Sequence, residues 1–391
     1  MQYRFVHGMI CQWPSMFRTQ PIALPLVQSI SYGRRETKVL VFRSLHNIDL
    51  ASNTVTNKQI PNDFASFTND YLRFARENSN TKRYAVVDVN TQVVSCIRQI
   101  VQSILKVQVS EEENQREMEL LARSIVERLL RSEIAAQEKI EQMNKYIKKG
   151  SLLQALIRDN NDNSSYTYII AKVEHSEWFD GDSLQKSFGF PTEKKNVWKS
   201  AVIPLYVTEG EYQFCSIRVY TDNEARYWAR EFLEVEEEKS DETNTKCAFE
   251  AIDRELRLSL KKDHPRDYYI LRNSVIQTMK TPQTINYSEY INGLIGGYVP
   301  EDENVNTSLI QTRLLKLPEK KNFDTQFTTV PRAIVARKKL KFAPAEGIEI
   351  NIDGSIDDYR NAIVAGVDEN QKRILMVRCS DEATYKAFGG H

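Results

Sequence analysis

Nine lysines and arginines fall between Arg313 and Lys341, opposed only by Glu319 and Asp324. They include Lys320, Lys321, Arg332 and the cluster Arg337, Lys338, Lys339 and Lys341, with Phe323, Phe327 and Phe342 interleaved. Cations in such density displace the counterions condensed on a phosphate backbone, and aromatic rings between them would stack on unpaired bases. The same phenylalanines serve equally as core residues and the same cations as a solvated face. A second basic set, Lys261, Lys262, His264 and Arg266, separates two helical patterns. At a helix end, Lys261 and Lys262 also complement the macrodipole. The two sets become one phosphate-binding site only if folding brings them to one surface.

Glu174, His175 and Glu177 close a strand-like segment and are of the types that ligate metals or exchange protons. No second His or Cys stands at a supporting spacing, so a structural or surface role is expected, and His7, His46, His264 and His391 form no ligand pattern. Neither GxxxxGK[ST] nor GxGxxG occurs, and no serine stands in GxSxG. No cofactor, metal or catalytic residue is therefore expected, although a nuclease built from scattered carboxylates would leave a weak signature. The five cysteines, Cys11, Cys96, Cys215, Cys247 and Cys379, lie too far apart for a CxxC pair and read as reduced thiols of a cytosolic protein.

The elements that must position these groups follow from periodicity. The 391 residues are enough for two or three domains, and 53 Lys plus Arg balance 53 Asp plus Glu, so attraction to a polyanion must come from local clusters. Residues 1–110 read as a mixed region with a strand at Thr37–Phe42, a helix over Asp63–Arg76 and a periodic segment over Val93–Leu105. Glu111–Lys149 lacks Pro and Gly and carries an apolar stripe, predicting one long helix or two broken near Ser132. Unbroken, it would reach on the order of 55 Å, long enough to pair two subunits in a homodimer or to pack along its own domain. Gly150 is expected to stop it. Residues 150–244 then predict an antiparallel meander from Leu152, Ser165, Ala201 and Glu211, and a helix capped by Thr221 and Glu224. Glu231–Glu242, with seven carboxylates against one lysine, is expected as a solvated end. Residues 245–330 predict helices at Thr245–Leu260, Pro265–Met279 and Tyr287–Gly296. Residues 331–391 predict basic strands and a half-exposed hairpin around Asp368–Gln371. The class is α+β: an antiparallel meander with packed helices, a long amphipathic helix and a C-terminal β-hairpin. No apolar stretch reaches membrane-spanning length.

Four dispersed strings carry a resemblance: YIIAKVEHSEWFDGDSL from Tyr168, YTDNEARYWAREFLEVEEEKSDETNTKCAFEAIDREL from Tyr220, YYILRNSVIQ from Tyr268 and LPEKKNFDTQF from Leu317. Over roughly Glu111 to the C-terminus the chain resembles bacterial nucleoid-associated proteins of the NdpA type. The resemblance implies a cytoplasmic protein found with the nucleoid, in contact with DNA or DNA-bound partners, and carries over no catalytic residue. A DNA-binding role through Lys320, Lys321, Arg332, Arg337, Lys338, Lys339, Lys341, Lys261 and Lys262 is the leading expectation. The alternatives are an anti-phage defence effector that recognises phage DNA or protein, possibly as a nuclease, and a protein-interaction scaffold with a host or phage protein partner.

Overall fold

The computed structural model describes residues 29–30, 38–60, 62–106, 109–143, 146–147, 149–179, 186–189, 197–221, 225–337 and 339–389. In chain order the first half runs β1 (Ser29–Ile30), β2 (Lys38–Asp49), β3 (Thr54–Lys58), α1 (Asn62–Glu77), β4 (Lys82–Ala85), α2 (Gln92–Leu105) and α3 (Glu111–Ile140). It continues with β5 (Gly150–Asp159), β6 (Ser165–Glu174), β7 (Ser176–Phe179), β8 (Lys186–Gly189), β9 (Val197–Thr208), β10 (Glu211–Phe214), β11 (Ile217–Thr221) and β12 (Glu236–Glu237). The second half comprises α4 (Asp241–Leu260), α5 (Pro265–Met279), β13 (Thr284–Asn286), α6 (Tyr287–Gly296), α7 (Thr307–Leu315), α8 (Leu317–Lys321) and β14 (Gln326–Thr328). It ends with β15 (Lys339–Ala345), β16 (Ile348–Asp353), α9 (Tyr359–Ala362), β17 (Ile363–Val367), β18 (Arg373–Val377) and α10 (Glu382–Ala387). Helices and antiparallel sheets segregate as the α+β reading expects.

One antiparallel sheet of ten strands, in the order β1-β2-β5-β6-β9-β11-β4-β12 with β3 on β2 and β10 on β9, organises the first half. Strand side chains alternate between faces, and here both faces are covered. Leu152, Leu156, Tyr168, Ile170, Ala201 and Ile203 meet Ile97 and Ile100 of α2 and Ile125 and Leu129 of α3. Their alternates Leu153, Ala155, Ile169 and Ala171 meet Tyr71, Leu72 and Ala75 of α1. The segments expected as separate N-terminal, helical and sheet regions therefore share one sheet, because β2 pairs with β5 and β4 with β11. The meander from β5 to β11 has the expected order, with Cys215 and Ser216 dividing the segment from Glu211 into two strands.

The long helix spends its stripe within the chain. Met118, Ala122, Ile125, Val126, Leu129 and Leu130 are all buried against the sheet and α2, and Ser132 sits in an uninterrupted helix that ends at Ile140. Gly150 is not the helix stop but the first residue of β5, and a Cβ there would lie 2.5 Å from the Val173 carbonyl oxygen. Close strand approach explains the glycine. The Thr221–Glu224 cap cannot be placed, since 222–224 lie outside the described residues. The expected helix after it is a π-helical turn, Trp228–Phe232, that buries Trp228, Ala229 and Phe232.

The acidic segment departs most from expectation. Glu237 and Asp241 both hold the buried Lys82 ammonium, at 3.0 and 2.7 Å, and Glu234 pairs with Arg128 at 2.7 Å. Glu236 and Glu237 form the edge strand β12 beside β4. Cations far away in sequence turn a self-repelling run into a seam. The second half packs α4 to α8 around Phe249, Ile252, Leu256, Tyr268, Leu271, Tyr287 and Ile310, closed by the β13–β14 ribbon. Among the described residues no helix is long and apolar enough to cross a membrane.

Leu129→Ala is expected to cost about 2–5 kcal/mol in urea denaturation, because Leu129 is fully enclosed between α3 and the sheet. Leu120→Ala, on the exposed side of the same helix, is expected to stay within about 0.5 kcal/mol. Equal losses would show that α3 does not dock as described.

Candidate nucleic-acid interface

α4 begins at Ser240, whose hydroxyl accepts the Thr243 amide at 3.2 Å, with Asp241 and Glu242 complementing the helix N-terminus. Ala248, Phe249, Ile252 and Leu256 face the core. The opposite face presents Lys246, Glu250, Arg254, Arg257 and Lys261, all exposed. Steps of four, four, three and four residues stack these side chains along one ridge.

Two further helices pack beside α4. Arg313 of α7 reaches back to α4, its guanidinium 3.4 Å from the Ser259 hydroxyl and 3.8 Å from Glu255. In α8 Leu317 and Pro318 are buried while Lys320 and Lys321 are exposed. The helix stops at Asn322, in the left-handed region with φ of 52°, a conformation asparagine tolerates. Asn322 is held from two sides: its backbone carbonyl accepts from Lys239, and its side-chain oxygen accepts from Arg83 at 2.5 Å. Asp324, buried, accepts from Arg83 Nε at 2.7 Å and from Asn244 Nδ2 at 2.9 Å. These bonds set α8 beside the start of α4, whereas Lys261 and Lys262 stand at its end, roughly 30 Å along the axis for a helix of this length. The two basic sets belong to one helical group, with Lys246, Arg254 and Arg257 between them along α4. Lys246, Arg254, Arg257, Lys261, Lys262, Lys320 and Lys321 form no ion pair with a carboxylate among the described residues. Lys261 also lies 5.8 Å from the centre of the Tyr268 ring.

The remaining basic residues are placed differently. Arg332 pairs with Glu242 at 2.7 Å, Lys339 with Asp353 at 3.8 Å and Lys341 with Glu349 at 2.6 Å. Arg337 closes the 3-10 turn Pro331–Arg337, and Lys338 lies outside the described residues. Phe323 and Phe327 are buried in the helical core, and Phe342 packs edge-on against Tyr269, ring centres 5.1 Å apart. The phenylalanines are thus packing residues, and base stacking by Phe323 and Phe327 is ruled out by burial. At the start of α5 His264 Nδ1 donates to the Asp302 carboxylate at 2.8 Å, and Arg266 binds the Arg360 carbonyl. Lys246, Arg254 and Arg257 were legible as a three-and-four spacing within 241–260; what escaped was that α4 leaves that side open.

Glu174 and His175 belong to a different, enclosed assembly on the sheet. Lys172 and Glu174 of β6 and Lys199 of β9 project toward α3, since Lys172 and Lys199 are cross-strand partners. The Lys172 ammonium binds Glu133 of α3 with neither side chain exposed, Tyr227 donates to the same carboxylate oxygen at 3.0 Å, and Lys199 lies 3.9 Å from Glu174. The second oxygen of Glu133 has no hydrogen-bond partner among the described residues. On the other face His175 Nε2 is 2.8 Å from the Ser151 hydroxyl, which donates to Asn47. Burial and the neighbouring Lys172 push the His175 imidazole below its ordinary range. His46, buried on the α3 face, is pushed down to about 4 by burial and by Arg123. Burial likewise pushes the Cys96 and Cys215 thiols up, away from nucleophilic thiolate character. Glu177 falls in β7. Among the described residues no group of His, Cys, Asp and Glu could hold a metal ion. Compared with known proteins, the chain matches no family model, no curated sequence and no solved structure.

Removing one partner of the buried pair strands a charge, so Lys172→Met is expected to cost about 3–5 kcal/mol, and the double variant Glu133→Leu/Lys172→Met to recover most of it. Additive losses in chemical denaturation would contradict the pairing. Folding lowers His46 from 6.5 to about 4, so the unfolded chain binds more protons between those values. Stability is then complete above the upper value and falls as pH drops through the window, by on the order of 3 kcal/mol. His46→Leu should flatten melting temperature against pH over that range, leaving the smaller dependence of His175; an unchanged slope would contradict the assignment.

Proposed function

We propose that the protein binds nucleic-acid phosphates through the exposed basic ridge of α4, with Lys320 and Lys321 of α8 exposed beside its start. The observation that carries this reading is the alignment of Lys246, Arg254, Arg257 and Lys261 along one helix face, free of ion pairs with described carboxylates. Cations not paired with a described carboxylate exchange mainly water and salt ions for phosphate oxygens, whereas Lys341 would first have to give up Glu349. With 53 charges of each sign in the chain, this local separation is what a polyanion would sense. The resemblance to nucleoid-associated proteins supports DNA as the polymer. Such a face reads the backbone, so it would hold host and phage DNA alike. A nuclease reading gains nothing from the Glu133–Lys172 pair, because neither side chain reaches solvent.

Titrating the full chain with duplex and single-stranded DNA across roughly 50–200 mM salt is expected to give a linear fall of log affinity with log salt. Arg254→Gln/Arg257→Gln should weaken binding about tenfold or more and flatten the slope by about two, whereas Lys339→Gln, removing a paired cation, should do neither. Absence of binding at the lowest salt, or equal slopes for wild type and the double variant, would overturn the assignment. Cleavage of plasmid with magnesium or manganese in the same samples would replace a binder with an enzyme.

A further inference from the structure

We propose that the open face of the C-terminal hairpins is where a second copy of this chain docks. The hairpins β15–β16 and β17–β18 are anchored to the helical half through Arg360, which pairs with Glu301 at 2.7 Å, and through reciprocal bonds between Asn273 and Ile356. Phe342 of β15 also packs on Tyr269, whereas β18 has no such cover. Ile374, Leu375, Met376 and Val377 of β18 are exposed by 36, 47, 52 and 55%. Successive strand residues point to opposite faces, so neither face of β18 is covered. Sequence periodicity predicts a hairpin with one buried face; the structure leaves both bare.

The apolar surface is contiguous. Ile348 of β16 and Tyr385 and Phe388 at the end of the chain line one groove with Leu375 and Val377, and Phe388 is 88% exposed. Met376 and Val367 are exposed outside this groove, and clustered apolar side chains rimmed by Arg373, Arg378 and Asp381 are the mark of a protein-contact site on a soluble protein. An isolated two-stranded hairpin is marginal in water, and no third strand among the described residues pairs with β17 or β18.

Three features select a second copy as the occupant. An isologous contact covers the same patch on both partners, so this groove on each copy is covered by the other. An unpaired antiparallel edge is self-complementary, since two copies of β18 related by a two-fold axis run antiparallel and satisfy each other's backbone groups. The module also lacks a strong field that would repel its own copy or draw in a polyanion: from Lys339 to Gly389 nine carboxylates stand against seven cations. The apolar stripe of α3, the other surface able to pair subunits, is buried against its own sheet. This inference stands apart from the basic ridge on α4, and its test involves no nucleic acid.

The full chain, measured by sedimentation equilibrium over roughly 1–50 μM, is expected to be dimeric. Leu375→Asp/Val377→Asp should weaken the dimer about a hundredfold or more, while Leu258→Asp, still more exposed on α4 at 71%, should leave it intact. Circular dichroism and melting temperature should show the variant folded, and the gentler Leu375→Ser/Val377→Ser pair serves should the charged one unfold. A wild-type chain that is monomeric at the highest concentration, or a dimer that survives both substitutions in folded protein, would overturn the proposal. So would association only with an unrelated protein.

Discussion

Asp324 joins the two halves of the molecule. Its carboxylate is buried and takes hydrogen bonds from Arg83 on the sheet and from Asn244 on α4, while its own amide donates to Asn244 Oδ1 at 2.9 Å. A buried carboxylate without such donors would be costly to desolvate, so the sheet edge and the helical group must meet in the one geometry that supplies both. Around it the contacts multiply: Thr81 and Thr325 exchange backbone and hydroxyl bonds, and Lys82 sits between Glu237 and Asp241. The four residues of β4 thus serve as a sheet strand on one side and as the mounting for α4 and α8 on the other.

The basic ridge depends on that mounting. α4 has one face committed to the helical core and its N-terminal turn to the β4 junction, which leaves the opposite side to solvent. Asn322 and Asp324 fix the end of α8, so Lys320 and Lys321 extend the same helical group instead of standing elsewhere. The C-terminal hairpins form the contrasting surface, apolar and nearly balanced in charge. A face suited to phosphates and a face suited to another protein occur on the same helical half without sharing residues.

Much of the architecture was legible in the chain. Pro265 at a first turn, the stripe Tyr268, Leu271, Val275 and Met279, and the polar turn at Asp368–Gln371 each encode a local structure, and α5 and the β17–β18 hairpin lie where these signals place them. α8, five residues long, is too short for periodicity to declare. The role of the acidic run was hidden for another reason: Lys82 and Arg128, its partners, lie more than a hundred residues upstream. Lys172 and Glu133, 39 residues apart, likewise read separately as ordinary strand and helix charges.

By itself the sequence determined the α+β class, most of the helical and strand segments, and the run of cations between Arg313 and Lys341, because these are properties of residues close together in the chain. Only the tertiary structure decided which cations remain available. Arg332, Lys339 and Lys341 are met by Glu242, Asp353 and Glu349, whereas Arg254 and Arg257 face outward on α4. Charge pairing depends on distances of a few ångströms between residues remote in the chain, and burial depends on what packs above a side chain. Neither quantity is carried by a residue's neighbours in sequence.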